Sequence, residues 1–107
     1  MSLSEKAKEL ALAVKDTEEY KNLTSAQTRV KLDPAASQLI EELQKVQESL
    51  QASQGEGKEI SPDQIQHYQT LESQAHANLT LTNLLKAQQA FSEIMNQVNQ
   101  SITQELF

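Results

Sequence analysis

The sequence contains no cysteine and no tryptophan, only two glycines and two prolines, and only four aromatic rings: Tyr20, Tyr68, Phe91 and Phe107. Without cysteine there is no disulfide framework, no thiol nucleophile and no thiolate metal site. No apolar run approaches the ~20 residues that a membrane-spanning helix needs, and no leader-like segment opens the chain, so a soluble cytoplasmic protein is expected. Basic residues are scarce as well: nine Lys and Arg against fifteen Asp and Glu leave a net charge of −6 and a pI near 4.8. Such a surface repels phosphate backbones instead of releasing their counterions, which argues against direct nucleic-acid binding. With 37% apolar residues and 4% aromatics over 107 positions, a single domain spanning 1–107 with a modest core is expected, burying about 65% of the unfolded chain's surface. Domains this poor in large apolar anchors are often stabilised by association.

What the chain has in abundance is helical periodicity. The organising stretch runs from Asp33 to Gly55. Asp33 is placed to accept from the free N–H groups of a first turn, Pro34 gives up a donor that would be unpaired anyway, and Gly55 offers a left-handed C-cap. Between them Ala36, Leu39, Leu43, Val46 and Leu50 recur in steps of three and four, laying down one apolar seam. Ahead of it, Ser4-Glu5-Lys6-Ala7 opens a first helix with Ala7, Leu10, Ala11 and Val14 in a narrow stripe. Asp16-Thr17-Glu18-Glu19 then reads as a fresh N-terminus for a second helix that carries Tyr20, Leu23 and Val30 and ends near Leu32.

Beyond the long helix, Gln54-Gly55-Glu56-Gly57-Lys58-Glu59-Ile60 holds both glycines and predicts a loop where the chain reverses. Ser61-Pro62-Asp63-Gln64 predicts a capping box with proline at the first helical position, and Ile60 and Ile65 are spaced as a hydrophobic staple. The stripe Ile65, Tyr68, Leu71, Ala75 continues to about His76. Asn78 caps a closing helix towards Leu106, with Thr80 placed to share that task. Leu81, Leu84, Gln88, Phe91, Met95, Val98 and Ile102 form its heptad-like seam, widened by Leu85 and Ile94. At 1.5 Å per residue that helix is roughly 42 Å long, against a radius of gyration near 13 Å for a compact domain of about 100 residues. More seam is present than one copy is expected to cover.

No constellation carries catalytic chemistry. His67 and His76 are nine positions apart, which puts them on nearly opposite sides of a helix, and neither stands in a zinc-binding pattern. The acidic pairs Glu18-Glu19, Glu41-Glu42 and Glu56 with Glu59 lie where carboxylates are solvated, and general acid–base work needs a pocket that raises one of them. Gly55-Glu56-Gly57-Lys58 lacks the spacing, the preceding strand and the following Ser/Thr of a phosphate loop. The many glutamines, among them Gln44, Gln47, Gln51 and Gln54, are interleaved with periodic apolar residues and read as solvated helix faces built from good helix formers. The expectation is no catalytic, cofactor-binding or metal-binding residue, and an interface made by Leu84, Phe91, Met95, Val98 and Ile102. The alternative is a small-molecule or metal sensor whose helical bundle closes around a ligand, with His67, Tyr68 and His76 as its polar lining.

Three stretches carry a family resemblance: Ala7-Lys8-Glu9-Leu10-Ala11-Leu12-Ala13-Val14-Lys15, then Glu18-Glu19-Tyr20-Lys21, then Val30-Lys31-Leu32-Asp33-Pro34-Ala35-Ala36. The likeness continues through Gly57-Lys58-Glu59-Ile60-Ser61-Pro62-Asp63-Gln64, Asn78-Leu79-Thr80-Leu81 and Leu85-Lys86-Ala87 to Phe91 and Met95-Asn96-Gln97-Val98-Asn99. Nearly the whole chain, in one register, resembles the YlbF/YmcA family of small helical bacterial proteins, in particular its YheA-like, UPF0342-type branch. The family pattern has proline where this chain has Leu79 and a Tyr-Leu pair where it has Leu84-Leu85. The resemblance implies an all-α, elongated bundle of about five helices with two long antiparallel helices, oligomeric, cytoplasmic and without enzyme activity. It also implies a regulatory role like that of relatives that join partner proteins to influence competence, sporulation, biofilm development and RNA maturation by RNase Y. Some relatives hold iron–sulfur clusters through cysteines, and this chain has no such ligands. The partners expected are a second copy, with a dimer as the simplest form, and another protein.

Overall fold

Five helices follow one another through short joints: α1 (Leu3–Lys15), α2 (Glu18–Leu32), α3 (Pro34–Gly55), α4 (Pro62–Ala77) and α5 (Leu79–Leu106). The structure is a computed structural model that describes residues 2–57 and 59–107. No strand occurs among the described residues, so the chain is all-α as expected.

Local chemistry makes the joints. Asp33 adopts an extended backbone and its Oδ1 accepts from the N–H groups of Ala35 and Ala36 at 3.1 and 3.3 Å, with Pro34 opening the helix behind it. Thr17 accepts from Tyr20 N–H at 3.2 Å and so caps α2. Ser61 and Gln64 complete a reciprocal capping box: Ser61 Oγ accepts from Gln64 N–H at 3.2 Å, and Gln64 Oε1 accepts from Ser61 N–H at 3.0 Å. Asn78 Oδ1 accepts from Leu81 N–H at 3.1 Å at the head of α5. Each pairing satisfies donors that a helix start would otherwise leave open.

Three ends add to or differ from the sequence reading. Helix α1 opens at Leu3, one residue ahead of Ser4, with Ser2 as its cap accepting from Glu5 N–H at 3.1 Å. Thr80 does not cap α5 but donates to Asp33 Oδ2 at 2.7 Å, across 47 positions of sequence. Gly55 is the last helical residue of α3, and the left-handed conformation falls on Gly57 with φ of +72°. Glu56 N–H still reaches Ala52 O at 3.1 Å, so the helical pattern runs past Gly55 and the chain turns only where the second glycine removes the Cβ penalty. Lys58, in the same predicted loop, lies outside the described residues.

The chain divides into two compact units. One takes in α1, α2 as far as Thr28, and α5 from Asn83 onward. Among its described residues the buried ones are two alanines, Ala26 and Ala87. The rings of Tyr20 and Phe91 meet there with centroids 5.9 Å apart and planes tilted by 56°, an edge-on geometry that suits two quadrupoles. The other unit runs from Arg29 to Thr82, and in it α3 and α4 pack closely against each other. Val30, Ala36 and Leu71 are its buried core, with Ala36 wholly inaccessible. Ser37 Oγ donates to Val30 O at 2.7 Å, which locks the α2–α3 corner around Asp33. Among the described residues, no helix is long and apolar enough to cross a membrane.

Candidate interaction surface

In the unit built from α1 and α5, apolar periodicity is present on both helices but burial is not. No residue of α1 is buried, and Leu10 of its stripe remains 41% exposed. Along α5, the seam residues Leu84, Phe91, Met95 and Val98 are half-buried, and Ile102 is 47% exposed. From Ser101 to Phe107 every residue is exposed, Leu106 and Phe107 included.

Two open grooves follow from this incomplete cover. One, of about 520 Å³, runs between Leu10 and Val14 of α1 and Ile94, Val98 and Ile102 of α5. The other, of about 290 Å³, is lined by Ala7 and Ala11 of α1, by Tyr20, and by Phe91 and Met95. Leu10, Val14 and Val98 border both. Four of the five interface residues read from sequence therefore sit on groove walls, and Leu84 lies beyond them. The opposite wall, supplied by Leu10 and Val14, was absent from that residue set; its signal was the stripe at i, i+3, i+4 and i+7 in α1.

Charge is almost missing from this face. α5 carries only Lys86, Glu93 and Glu105 as charged residues among its 28 positions, the rest of its polar surface being amides and hydroxyls. Dispersion and water exclusion are most of what such a groove offers a partner, with one charged side chain on each wall: Glu19 on the larger groove and Lys15 on the smaller.

The residues considered for chemistry stay apart. His67 is exposed; His76 is exposed too, and its Nε2 stands 3.7 Å from Glu72 one helical turn back. The two histidines belong to one helix, about 13 Å apart along its axis. Among the described residues no three His, Cys, Asp or Glu side chains gather in a group that would hold a metal ion. Glu18, Glu41, Glu56 and Glu59 are exposed, while Glu42 accepts from Gln38 Nε2 at 3.2 Å. Asp33 has a displaced titration: the Thr80 hydroxyl first, then the Ala36 N–H, hold it below the usual aspartate value. Those bonds serve the α2–α3 corner.

Comparison with known proteins gives a consistent result. The family described as "Control of competence regulator ComK, YlbF/YmcA" matches residues 3–106. A UPF0342 protein of Oenococcus oeni is 30% identical over 105 residues, covering 98% of this chain and 92% of its own. A UPF0342 protein of Staphylococcus epidermidis is 28% identical over 106 residues, covering 99% of this chain and 93% of its own. Among solved structures, a protein of unknown function (DUF964) from Bacillus stearothermophilus superposes with a TM-score of 0.76 at 27% identity, over 97% of this chain and 91% of that one. Bacillus subtilis RicA, solved in complex with RicF, shares the fold with a TM-score of 0.80 at 19% identity, over 94% of this chain and 90% of that one.

Proposed function

Because the chain belongs to the YlbF/YmcA family, we propose that it is a non-enzymatic regulatory protein that works by binding other polypeptides, itself included, through the apolar face of α1 and α5. The observation that carries this reading is the half-exposed α5 seam, on a helix with only three charged residues, bordered by two mainly apolar grooves that each hold one charge, Glu19 and Lys15. Helix faces of this kind are covered by another helix in most assemblies, since apolar area removed from water contributes about 25 cal/mol per Å². The complex in which RicA was solved, with RicF, supports protein partnering as the mode of action. Leu84, Phe91, Met95, Val98 and Ile102 are assigned to the interface, with Phe91 and Met95 near its middle. The family likeness supports a cytoplasmic protein with a regulatory role of the competence, sporulation and RNA-maturation kind, and a dimer is the self-associated form proposed.

Light scattering after size exclusion tests the reading. A mass near twice 12.0 kDa at micromolar concentration is expected, and Phe91→Asp should return it to the mass of one chain. A stable monomer in the unaltered protein overturns self-association; a Phe91→Asp protein of unchanged mass overturns the choice of surface.

A further inference from the structure

The two charges on the groove walls belong to residues four positions apart in sequence, yet the joint at Asp16 and Thr17 sends them to different grooves: Lys15 ends α1 and lines the smaller, Glu19 stands in the first turn of α2 and lines the larger. Nearby charges are paired, Lys6 with Glu9 at 3.9 Å and Lys21 with Asp16 at 4.0 Å. Among the described residues, neither Glu19 nor Lys15 has an ion pair or a side-chain hydrogen bond. Glu19 is also half-buried. A body that fills the larger groove takes its carboxylate further out of water, at a cost unless a cation meets it. The ammonium of Lys15 sets the same condition at the smaller groove with the opposite sign.

Leu10, Val14 and Val98 border both grooves, so one helix laid along that common wall drops an apolar row on either side of it, as ridges seat in grooves. The α5 side of the larger groove extends from Ile94 to Ile102, about 12 Å or roughly two helical turns. We infer that this face receives an amphipathic helix of a different polypeptide, with apolar residues spaced i, i+3 or i+4, and i+7, a basic residue on the flank entering the larger groove and an acidic one on the flank entering the smaller. This rests on the protein-binding role proposed above and specifies the chemistry of the partner.

Helices of a second copy do not meet the specification. Beyond Lys86, α5 carries only Glu93 and Glu105 as charges, which leaves no cation along its seam to set against Glu19. At about 100° per residue, Lys6 and Lys8 fall on opposite flanks of the α1 stripe and Glu5 and Glu9 behind it, so α1 offers Lys15 no acid.

Four labelled synthetic peptides test this. All share one leucine stripe and differ in their flanks: lysine on one side and glutamate on the other, lysine on both, glutamate on both, or glutamine on both. A helix laid in reverse exchanges its flanks, so the mixed peptide satisfies both grooves in one of its two directions. Fluorescence anisotropy at physiological salt, where distant charges are screened, should place the mixed peptide first, about fivefold tighter than the all-lysine and all-glutamate peptides. Lys15→Glu should move the preference to the all-lysine peptide, and Glu19→Lys to the all-glutamate peptide. The readout is the order of the peptides on one protein, which a loss of fold does not rearrange in these two opposite ways. Equal affinity of the unaltered protein for all four, or an order that neither variant changes, overturns the charged-flank partner and leaves the apolar docking face standing. No binding of any peptide overturns that face as a partner site, and the protein-binding role proposed for it.

Discussion

Asp33 uses both carboxylate oxygens: Oδ1 for the first-turn amides of α3, Oδ2 for the Thr80 hydroxyl at the head of α5. Its folded titration point therefore lies below its unfolded one, and the sign of the linkage follows. The stabilisation is fully present above the unfolded value, near 3.9, and is lost as pH falls through the lower folded value. Thr80→Val removes the largest cause, so an NMR titration of the Asp33 carboxyl should move up towards the ordinary aspartate range, and thermal unfolding should become less sensitive to acid below about pH 4. Asp33→Ala at pH 7 takes away cap and hydroxyl acceptor together, with an expected loss of about 5 °C in Tm. Next to it, Ala36 has no accessible surface; Ala36→Leu should destabilise by about 1–3 kcal/mol in urea unfolding, because the added methylenes have no space to enter.

At the scale of elements, the end of α3 separates two glycines that look alike in sequence. Gly55 is helical and Gly57 left-handed, and neither has a neighbour within 4 Å of where a Cβ would stand. Only backbone preference then distinguishes them. Gly55→Ala should raise stability by up to about 1 kcal/mol through the unfolded chain's lost freedom, and Gly57→Ala should lower it by about 1 kcal/mol. Denaturant midpoints of the two variants, which shift in opposite directions on this account, measure the contrast. The head of α4 offers a second check, since Ser61→Ala opens the capping box and should cost about 1 kcal/mol.

For the molecule as a whole, the distribution of charge matters more than its sum. A net charge of −6 keeps copies apart at long range, yet the C-terminal stretch that would meet a second copy carries Glu93 and Glu105 as its only charges beyond Lys86. Moderate salt should therefore strengthen self-association slightly, by screening distant repulsion without weakening any ion pair in the contact. Sedimentation equilibrium between low and physiological ionic strength would show this, and a contact built on salt bridges would show the reverse. Filter binding with RNA should stay at background at all salt concentrations, because a chain with nine basic against fifteen acidic residues repels the phosphates whose counterions it would have to displace.

Helix positions were legible because their signals are local. Asp33-Pro34 and Ser61-Pro62-Asp63-Gln64 act on amides within one turn of themselves, so spacing alone specified them, while Asn78 was read as a cap with Thr80 beside it; the seams of α1 and α5 could be read from the 3.6-residue period. Tertiary structure decided the rest. The bond from Thr80 to Asp33 joins positions 47 residues apart, and no periodicity encodes which capping hydroxyl will be drawn to a distant carboxylate. Burial was equally undetermined: Leu71, Leu10 and Ile102 are all periodic apolar residues, yet Leu71 is 3% exposed while Leu10 and Ile102 stay above 40%. A side chain's spacing says which face it shares; what stands opposite that face depends on how the other helices pack, and only there does an apolar stripe become core or contact surface.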